Sequence, residues 1–196
     1  MAKKFRIVFL KNLNKLKMKN ISIISSSIRT DRKSHNVALY LQNYLSENKL
    51  ANAEILDLKQ YNFPLFEERF KNLEKPSKAI VEFSEKIKSS DAIIIVTPEY
   101  NGSLPASLKN VIDLLYEEWS GKPIGLSTVS SGIFGGNQCL THLQFILWKM
   151  KATVIQANFP VPSVEKTFDD KGNPLKKEET NKLADLFLKE LIKNIK

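Results

Sequence analysis

Residues 97–110, TPEYNGSLPASLKN, carry more unusual side chains than a simple connection between a strand and a helix needs. Helix formation explains the second part of the segment, because Ser103 is a suitable N-cap and Pro105 is tolerated in a first helical turn. Residues 98–102 have no such explanation. Their proline and glycine shape the backbone, while a tyrosine and an asparagine supply an aromatic face and an amide. This combination predicts a loop that lines a flat heterocycle with polar edges.

A second polar loop, residues 25–36 (SSSIRTDRKSHN), precedes a segment of helical period. It offers hydroxyl groups, backbone N–H groups at a helix start, and the guanidinium groups of Arg29 and Arg32. These groups suit a phosphate, since a helix N-terminus favours an anion and arginine binds phosphate oxygens through two parallel hydrogen bonds. Neither GxGxxG nor GxxxxGKS/T is present, so a dinucleotide fingerprint and a nucleoside-triphosphate loop are not indicated. The simpler alternative is a polar capping loop with solvated charges.

Residues 128–136, TVSSGIFGG, form a third loop, built of small residues. Its glycines permit a close approach of the backbone to a ligand. Ser130, Ser131 and Gly132 are therefore expected on the far side of a ring that is bound between this loop and residues 98–102.

Short β-branched runs alternate with segments of helical period from residue 20 onward. Strands are predicted at residues 21–24, 53–58, 92–97, 124–130 and 153–159. Amphipathic helices are predicted around apolar stripes at 37–45, 79–87, 108–115 and 140–150, and at 177–195. Five strands alternating with five helices indicate an α/β fold, a doubly wound five-stranded parallel sheet of order 2-1-3-4-5 with helices on both faces.

The predicted sheet also indicates where a ligand should bind. Doubly wound sheets bind ligands beyond the carboxyl ends of their strands, at the point where the winding direction reverses. With this strand order the reversal lies between the first and third strands. The loops that leave those two strands are residues 25–36 and 97–110, the two chemically unusual ones.

The charge of the chain is concentrated at its N-terminus. The net charge is +9, from 30 basic and 21 acidic residues, and residues 1–20 hold seven of the basic groups and no acid. The rest is nearly neutral, which argues against a nucleic-acid partner. A single cysteine, Cys139, excludes an internal disulfide and favours a reducing, cytoplasmic location. No apolar run approaches the roughly 18 residues that cross a membrane, so no membrane partner is expected.

Residues 1–17 are predicted to form a loosely ordered basic extension to one domain of residues 18–196. The alternative is a basic amphipathic helix that acts as an adaptor at membranes or nucleic acid. The apolar core of this segment, residues 7–10, is too short for a secretory signal. Met18 directly precedes the first strand and is a candidate start of the protein.

Other reactive or aromatic side chains have simpler interpretations. Cys139 shares an apolar stripe with Leu143 and Leu147 and is expected in the core. His142 has no cysteine or histidine partner at ligand spacing, so no metal site is predicted. The remaining aromatic residues exceed what one side of a sheet needs and favour a subunit interface over the core: Trp119, Phe145 and Trp148.

Taken together, the three loops resemble those of the NAD(P)H-dependent FMN reductases, a family of flavodoxin-like fold that includes quinone, azo-dye and chromate reductases. TPEYNGSLPASLKNVIDLL is similar to the family's TPEYN segment and the LKN-x-I-D that follows it. SSIRTDRKSHNVA is similar to its G-S-x-R phosphate loop, with Ser26 where glycine is usual. SSGIFGGNQC is similar to its third loop. The resemblance covers nearly everything from residue 20 onward.

The resemblance implies bound FMN as cofactor and NAD(P)H as co-substrate. The residues implied to hold the FMN phosphate are Ser27, Arg29, Ser34 and Asn36. The neighbouring His35 is either a further phosphate contact or a hydrogen-bonding residue of the loop. The residues implied to line the ring are Pro98, Glu99, Tyr100, Asn101 and Gly102, with Ser130 and Gly132 on the other side. No catalytic side chain is implied, since the flavin carries the chemistry.

The resemblance further implies an FMN-dependent NAD(P)H:acceptor oxidoreductase. Hydride would pass in a ping-pong sequence from nicotinamide to flavin N5 and on to a quinone, azo compound, metal oxyanion or free flavin, with backbone N–H groups near Asn101 and Gly102 supporting the developing charge. A homodimer or homotetramer is also implied. The alternative is a flavodoxin-type electron carrier without a substrate of its own. Such carriers are strongly acidic and lack the loop arginine, so the nearly neutral body and Arg29 argue against it.

Overall fold

The computed structural model describes residues 18–196, and the predicted basic extension, residues 1–17, lies outside the described residues. The described chain forms one sheet of five parallel strands in the order β2-β1-β3-β4-β5. The strands are β1 (Asn20–Ser25), β2 (Asn52–Asp57), β3 (Ala92–Pro98), β4 (Pro123–Val129) and β5 (Thr153–Asn158). The predicted fold class and strand order are confirmed.

Five long helices and several short ones surround this sheet. The helices are α1 (Ser34–Glu47), α2 (Leu58–Tyr61), α3 (Lys78–Ser89), α4 (Ala106–Leu114), α5 (Asn137–Lys149), α6 (Val164–Thr167) and α7 (Lys177–Lys193). Two 3-10 turns are present at Phe70–Asn72 and Glu117–Trp119. The long helices agree with the predicted ones. The short elements were not predicted, because three or four residues are too few to show a helical period.

The helices cover both faces of the sheet. Helices α1 and α7 pack on one face, and α3, α4 and α5 pack on the other. Strand β3 lies between them: Ile94 and Val96 enter the first core, and Ile93 and Ile95 enter the second, because successive side chains of a strand point to opposite faces. A strand buried on both faces is predominantly apolar, which explains the uninterrupted apolar run of residues 92–96 in the sequence.

The carboxyl ends of β1 and β3 lie side by side. Ser25 is in register with Val96, and one residue later the backbone N–H of Ser26 donates to the Val96 carbonyl at 3.1 Å. From α4, the hydroxyl of Ser107 donates to the carbonyl of Ser26 at 2.6 Å. The two polar loops therefore leave the sheet next to each other, as the strand order predicts.

Two predictions about single residues are wrong. Ser103 is not the N-cap of α4, which begins at Ala106 with Pro105 in the capping position. Trp119 is not at an exposed interface, because the 3-10 turn that carries it places its side chain, with no solvent exposure, in the core shared by α3, α4 and α5. Among residues 18–196, no helix combines the length and hydropathy that crossing a membrane would require.

Candidate flavin site at the carboxyl edge of the sheet

The loop after β1 presents unsatisfied polar groups at the start of a helix. Helix α1 begins at Ser34 with no side-chain cap at its N-terminus and no acidic residue in its first turn. The hydroxyl groups of Ser26 and Ser34 are buried and have no hydrogen-bond partner among the described residues. Buried hydroxyls without partners are costly, and a helix N-terminus attracts anions. The loop is therefore suited to an anion such as a phosphate. Ser26 does not have a positive φ, so serine fits where the family usually has glycine.

The two arginines of this loop do different things. Arg29 has no ion-pair partner among the described residues, and its guanidinium lies over the Tyr100 ring, 5.8 Å from the centroid. Arg32 instead forms a two-pronged ion pair with Asp57, at the end of β2, and donates to the Ser27 carbonyl at 2.9 Å. Arg29 is thus available to a ligand, whereas the charge of Arg32 is already paired. The composition of the loop makes both guanidinium groups candidates for phosphate binding, whereas the resemblance to the family implies only Arg29.

His35 and Asn36 form hydrogen bonds within the protein at the start of α1. His35 Nδ1 is 2.9 Å from the hydroxyl of Ser25. Burial lowers the pKa of His35, the charge of Arg32 lowers it further, and Asp57 acts in the opposite direction. The Asn36 amide donates to the Asp169 carbonyl at 3.0 Å. Both side chains therefore brace the start of α1 from within the protein.

The loop after β3 is a tight hairpin turn. Tyr100 and Ser103 exchange backbone hydrogen bonds of 2.8 and 3.0 Å, and Asn101 and Gly102 both have positive φ, 51° and 75°. Positive φ at both central residues defines a type I′ turn, for which Asn-Gly is the preferred pair. The hydroxyl of Tyr100 is 2.7 Å from that of Ser27. This contact connects the predicted ring loop directly to the predicted phosphate loop.

Glu99 points away from that turn and caps a helix. Its carboxylate accepts the backbone N–H groups of Gln138 and Cys139, at 3.0 and 3.1 Å, in the first turn of α5. A carboxylate at this position satisfies orphan helix donors and interacts favourably with the helix dipole. Glu99 therefore joins the ring loop to the helix that follows the third loop, a role that its place beside Tyr100 in the sequence does not reveal.

The third loop lies at the same edge of the sheet. Its Ser130 N–H donates to the Val161 carbonyl at 3.0 Å, and its hydroxyl donates to the Gly132 carbonyl at 2.9 Å. Gly136 has a φ of 80°, and a Cβ there would lie 2.9 Å from the Thr128 Cβ, so this position requires glycine. The side chains of Ile133 and Phe134 are 76% and 73% exposed. The loop thus presents small polar groups beside an exposed apolar tip.

Eight of the twelve predicted site residues lie in the three loops that follow β1, β3 and β4. Ser34, His35 and Asn36 form the first turn of α1, and Pro98 is the last residue of β3. Sequence reasoning missed Asp57 and its pairing with Arg32, which joins positions 25 residues apart and has no local signal. Within residues 18–196 there is no group of three or more histidine, cysteine or acidic side chains that could hold a metal ion.

The sequence profile of the family described as NADPH-dependent FMN reductase matches residues 19–166. The chain belongs to this family. Membership makes it an NAD(P)H-dependent oxidoreductase with FMN as its cofactor, which confirms the predicted enzyme class and cofactors. The buried, unpaired hydroxyls and the uncapped start of α1 fit that cofactor's phosphate.

Two relatives are similar to this chain in sequence, and one solved structure is similar to it in fold. The NAD(P)H-dependent FMN reductase LOT6 of Saccharomyces cerevisiae is 32% identical over 148 residues, covering 69% of this chain and 76% of that protein. A quinone reductase of Escherichia coli is 37% identical over 98 residues, covering 48% of this chain and 52%, about half, of that protein. The structure of FerB, a flavoenzyme NAD(P)H:(acceptor) oxidoreductase from Paracoccus denitrificans, superposes with a TM-score of 0.73 at 21% identity, covering 90% of this chain and 98% of that one.

Proposed function

We propose that this FMN reductase family member is an NAD(P)H:acceptor oxidoreductase that reduces small molecules in a ping-pong sequence. The candidate acceptors are a quinone, an azo compound, a metal oxyanion and free flavin. The observation that carries the proposal is the buried Ser34 hydroxyl, unpaired at the uncapped start of α1. The loop before this helix contacts the predicted ring loop through the hydroxyls of Ser27 and Tyr100. An anion-binding helix start next to a tight Tyr-Asn-Gly turn suits a ligand with a phosphate at one end and a ring at the other.

In this proposal the phosphate of FMN is held by Ser27, Arg29 and Ser34, with His35 and Asn36 supporting the helix start. The ring is held by Pro98, Glu99, Tyr100, Asn101 and Gly102, with Ser130 and Gly132 on its other side. Glu99 acts here through backbone geometry, since its carboxylate is engaged by α5.

FMN, when bound, supplies the hydride-accepting and hydride-donating chemistry, and the protein positions and shields it. The backbone N–H groups of the turn at Asn101 and Gly102 provide fixed dipoles at the predicted ring position. No side-chain acid or base is required. The Tyr100 hydroxyl is engaged with Ser27, which favours a structural role for it over proton transfer.

The test is a titration of the purified protein with FMN, followed by steady-state kinetics. We expect flavin binding, oxidation of NADPH or NADH on addition of a quinone, and parallel double-reciprocal lines, the pattern of a ping-pong sequence. A protein that binds FMN but is reduced only by a partner reductase would instead be an electron carrier. Failure to bind FMN would overturn the proposal altogether.

We also propose that the protein is a homodimer or homotetramer, associating through α5 and the third loop. Phe145 and Trp148 are 62% and 67% exposed, with ring centroids 5.9 Å apart. Beside them is an open groove of about 600 Å³ that Leu104, His142 and Ile146 help to line. Large exposed apolar patches of this kind typically mark association surfaces.

Sedimentation of the double variant Phe145→Ser/Trp148→Gln tests this surface. We expect a shift towards monomer. The matched control is Leu183→Ser/Leu186→Gln, which changes two similarly exposed apolar side chains on α7. A wild-type protein that is monomeric at micromolar concentration would contradict the proposal.

We propose that residues 1–17 are dispensable for FMN binding and that the protein acts in the cytoplasm. The described flavin-site groups all lie in residues 18–196. Deletion of residues 2–17 is expected to leave the FMN dissociation constant and the distribution in cell fractions unchanged. Loss of binding, or a move from a membrane fraction to the soluble fraction, would favour a functional role for the extension.

A further inference from the structure

Arg32 is enclosed at the base of the phosphate loop. Its side chain is 12% exposed and that of Asp57 is 3% exposed. The guanidinium forms a bidentate ion pair with the carboxylate, in which Nη1 donates to Oδ1 and Nη2 donates to Oδ2, the latter at 2.6 Å. A fork-to-fork pair of this kind fixes orientation as well as charge. The pair therefore ties the loop after β1 to the end of β2.

The same guanidinium also holds the backbone of the loop. Arg32 Nη1 donates to the carbonyl of Ser27 at 2.9 Å, and Ser27 is fully buried. Asp57 accepts a further hydrogen bond, from the backbone N–H of Lys59 at 3.0 Å, at the start of α2. Burial alone would raise the pKa of Asp57, but the hydrogen bonds from Arg32 and from that N–H outweigh it and bring the pKa below its ordinary value. The carboxylate thus stays charged and paired at neutral pH.

We infer that Arg32 and Asp57 are positioning residues for FMN: they fix the Ser27 carbonyl, and with it the shape of the phosphate loop, before the cofactor binds. This inference rests on the proposed function, because it concerns the loop assigned to the phosphate. It assigns the two arginines opposite roles, Arg29 as the group that meets the ligand and Arg32 as the group that shapes the loop. A loop held in its bound shape loses less conformational entropy on binding and so binds more tightly.

The variant Asp57→Asn separates positioning from direct contact. It leaves the Arg32 cation in place but removes its charged partner. If Arg32 contacts the phosphate, freeing it should leave FMN affinity equal or tighter. If Arg32 positions the loop, FMN affinity should fall about tenfold or more, as expected for the loss of a charge-assisted hydrogen-bond network. We expect the second result, measured by quenching of flavin fluorescence.

Riboflavin provides the second arm of the experiment, because it carries the same ring without the phosphate. We expect Asp57→Asn and Arg32→Lys to weaken FMN binding several-fold more than riboflavin binding, which is affected only through the contact between Ser27 and Tyr100. Equal losses for both ligands would indicate general damage to the site and would overturn the inference. The control is Asp185→Asn, which breaks an exposed ion pair with Lys189 on α7 and should change neither constant.

If the single variants fail to fold, the double variant Arg32→Met/Asp57→Leu still tests the inference. Replacing both members of a buried ion pair with apolar residues is often neutral for stability. It still removes the contact to the Ser27 carbonyl, so FMN affinity should remain low while thermal unfolding is close to wild type. Wild-type affinity in a folded double variant would contradict the inference. Absence of FMN binding by the wild-type protein would instead contradict the proposed function.

Discussion

The carboxylate of Glu99 accepts the backbone N–H of Cys139 at 3.1 Å across 40 positions of sequence. Through this contact the loop after β3 caps the helix that follows the loop after β4. The two loops predicted to enclose the flavin ring are therefore joined by a side chain, in addition to the sheet between them. A capping carboxylate held at a fixed place also fixes the residues on either side of it.

Replacing Glu99 should destabilise the protein by an amount typical of a lost helix cap. We expect Glu99→Ala to lower the free energy of unfolding by about 1–2 kcal/mol, and Glu99→Gln by less, because the amide oxygen can still accept a hydrogen bond. Urea denaturation measures both. Glu85→Gln, an exposed acid on α3, is the control and should change stability by under about 0.5 kcal/mol. Equal stability of Glu99→Ala and wild type would show that the cap contributes nothing.

Three glycines form a matched series that tests the hairpin turn. Gly132 lacks a positive φ and has open space where a Cβ would lie, so Gly132→Ala should be nearly neutral. Gly121 has a φ of 67° with the same open space, so Gly121→Ala should cost about 1 kcal/mol from backbone strain alone. Gly102 combines a φ of 75° with a Cβ position 2.5 Å from Oε1 of the exposed Gln138 side chain, which can rotate away, so Gly102→Ala should cost only slightly more than Gly121→Ala.

The additional cost at Gly102 comes from the end of a flexible side chain. The double variant Gly102→Ala/Gln138→Ala should therefore return to the stability of Gly121→Ala, after correction for Gln138→Ala alone. Thermal unfolding of these variants measures whether the contact with Gln138 contributes to the cost. If Gly102→Ala and Gly121→Ala were equally destabilised, the contact with Gln138 would not restrict this position.

His35 should make the FMN-free protein less stable in mild acid. Its folded pKa lies below the ordinary value of 6.5, so the unfolded chain binds the proton more readily in the interval between them. Stability is thus fully present above pH 6.5 and is lost as the pH falls through the folded pKa. The variant His35→Gln should show a smaller drop in urea midpoint between about pH 7.5 and about pH 5.5. An identical drop in both proteins would show that His35 does not contribute.

The thiol of Cys139 should be unreactive in the folded protein. Burial raises its pKa to about 12, with a hydrogen bond from Thr97 opposing the shift and the charge of Glu99 adding to it. The thiolate is the reactive form, and almost none is present at about pH 8. We expect a disulfide reagent such as DTNB to label the protein only after addition of denaturant. Stoichiometric labelling of the native protein would contradict this expectation.

The strands and the place of the site could be predicted because their signals are local. Strand β3 is apolar over residues 92–96 since both of its faces are buried, and this pattern is visible in five consecutive residues. The strand order then brings the loops of residues 25–36 and 97–110 together. The amino-acid composition of these two loops already distinguishes them from simple connections between a strand and a helix.

What could not be predicted depends on contacts between distant residues. Serine is a preferred N-cap residue, but the backbone of Ser103 is hydrogen-bonded to Tyr100 in the turn, and the helix therefore begins later. No periodic pattern in the sequence indicates that Arg32 pairs with Asp57 or that Glu99 caps α5, because both contacts join distant positions. Trp119 was misassigned because aromatic content does not distinguish a core from an interface.

We expect the 2.7 Å contact between the hydroxyls of Ser27 and Tyr100 to make the two ends of the proposed flavin site thermodynamically dependent on each other. A group that orders one loop removes part of the ordering cost at the other, so the two halves of a ligand should bind cooperatively. Lumiflavin, which is the ring alone, should bind more tightly in the presence of inorganic phosphate than in its absence. Tyr100→Phe should abolish this difference while retaining the aromatic ring. Additive binding in the wild-type protein would show that the two loops respond independently.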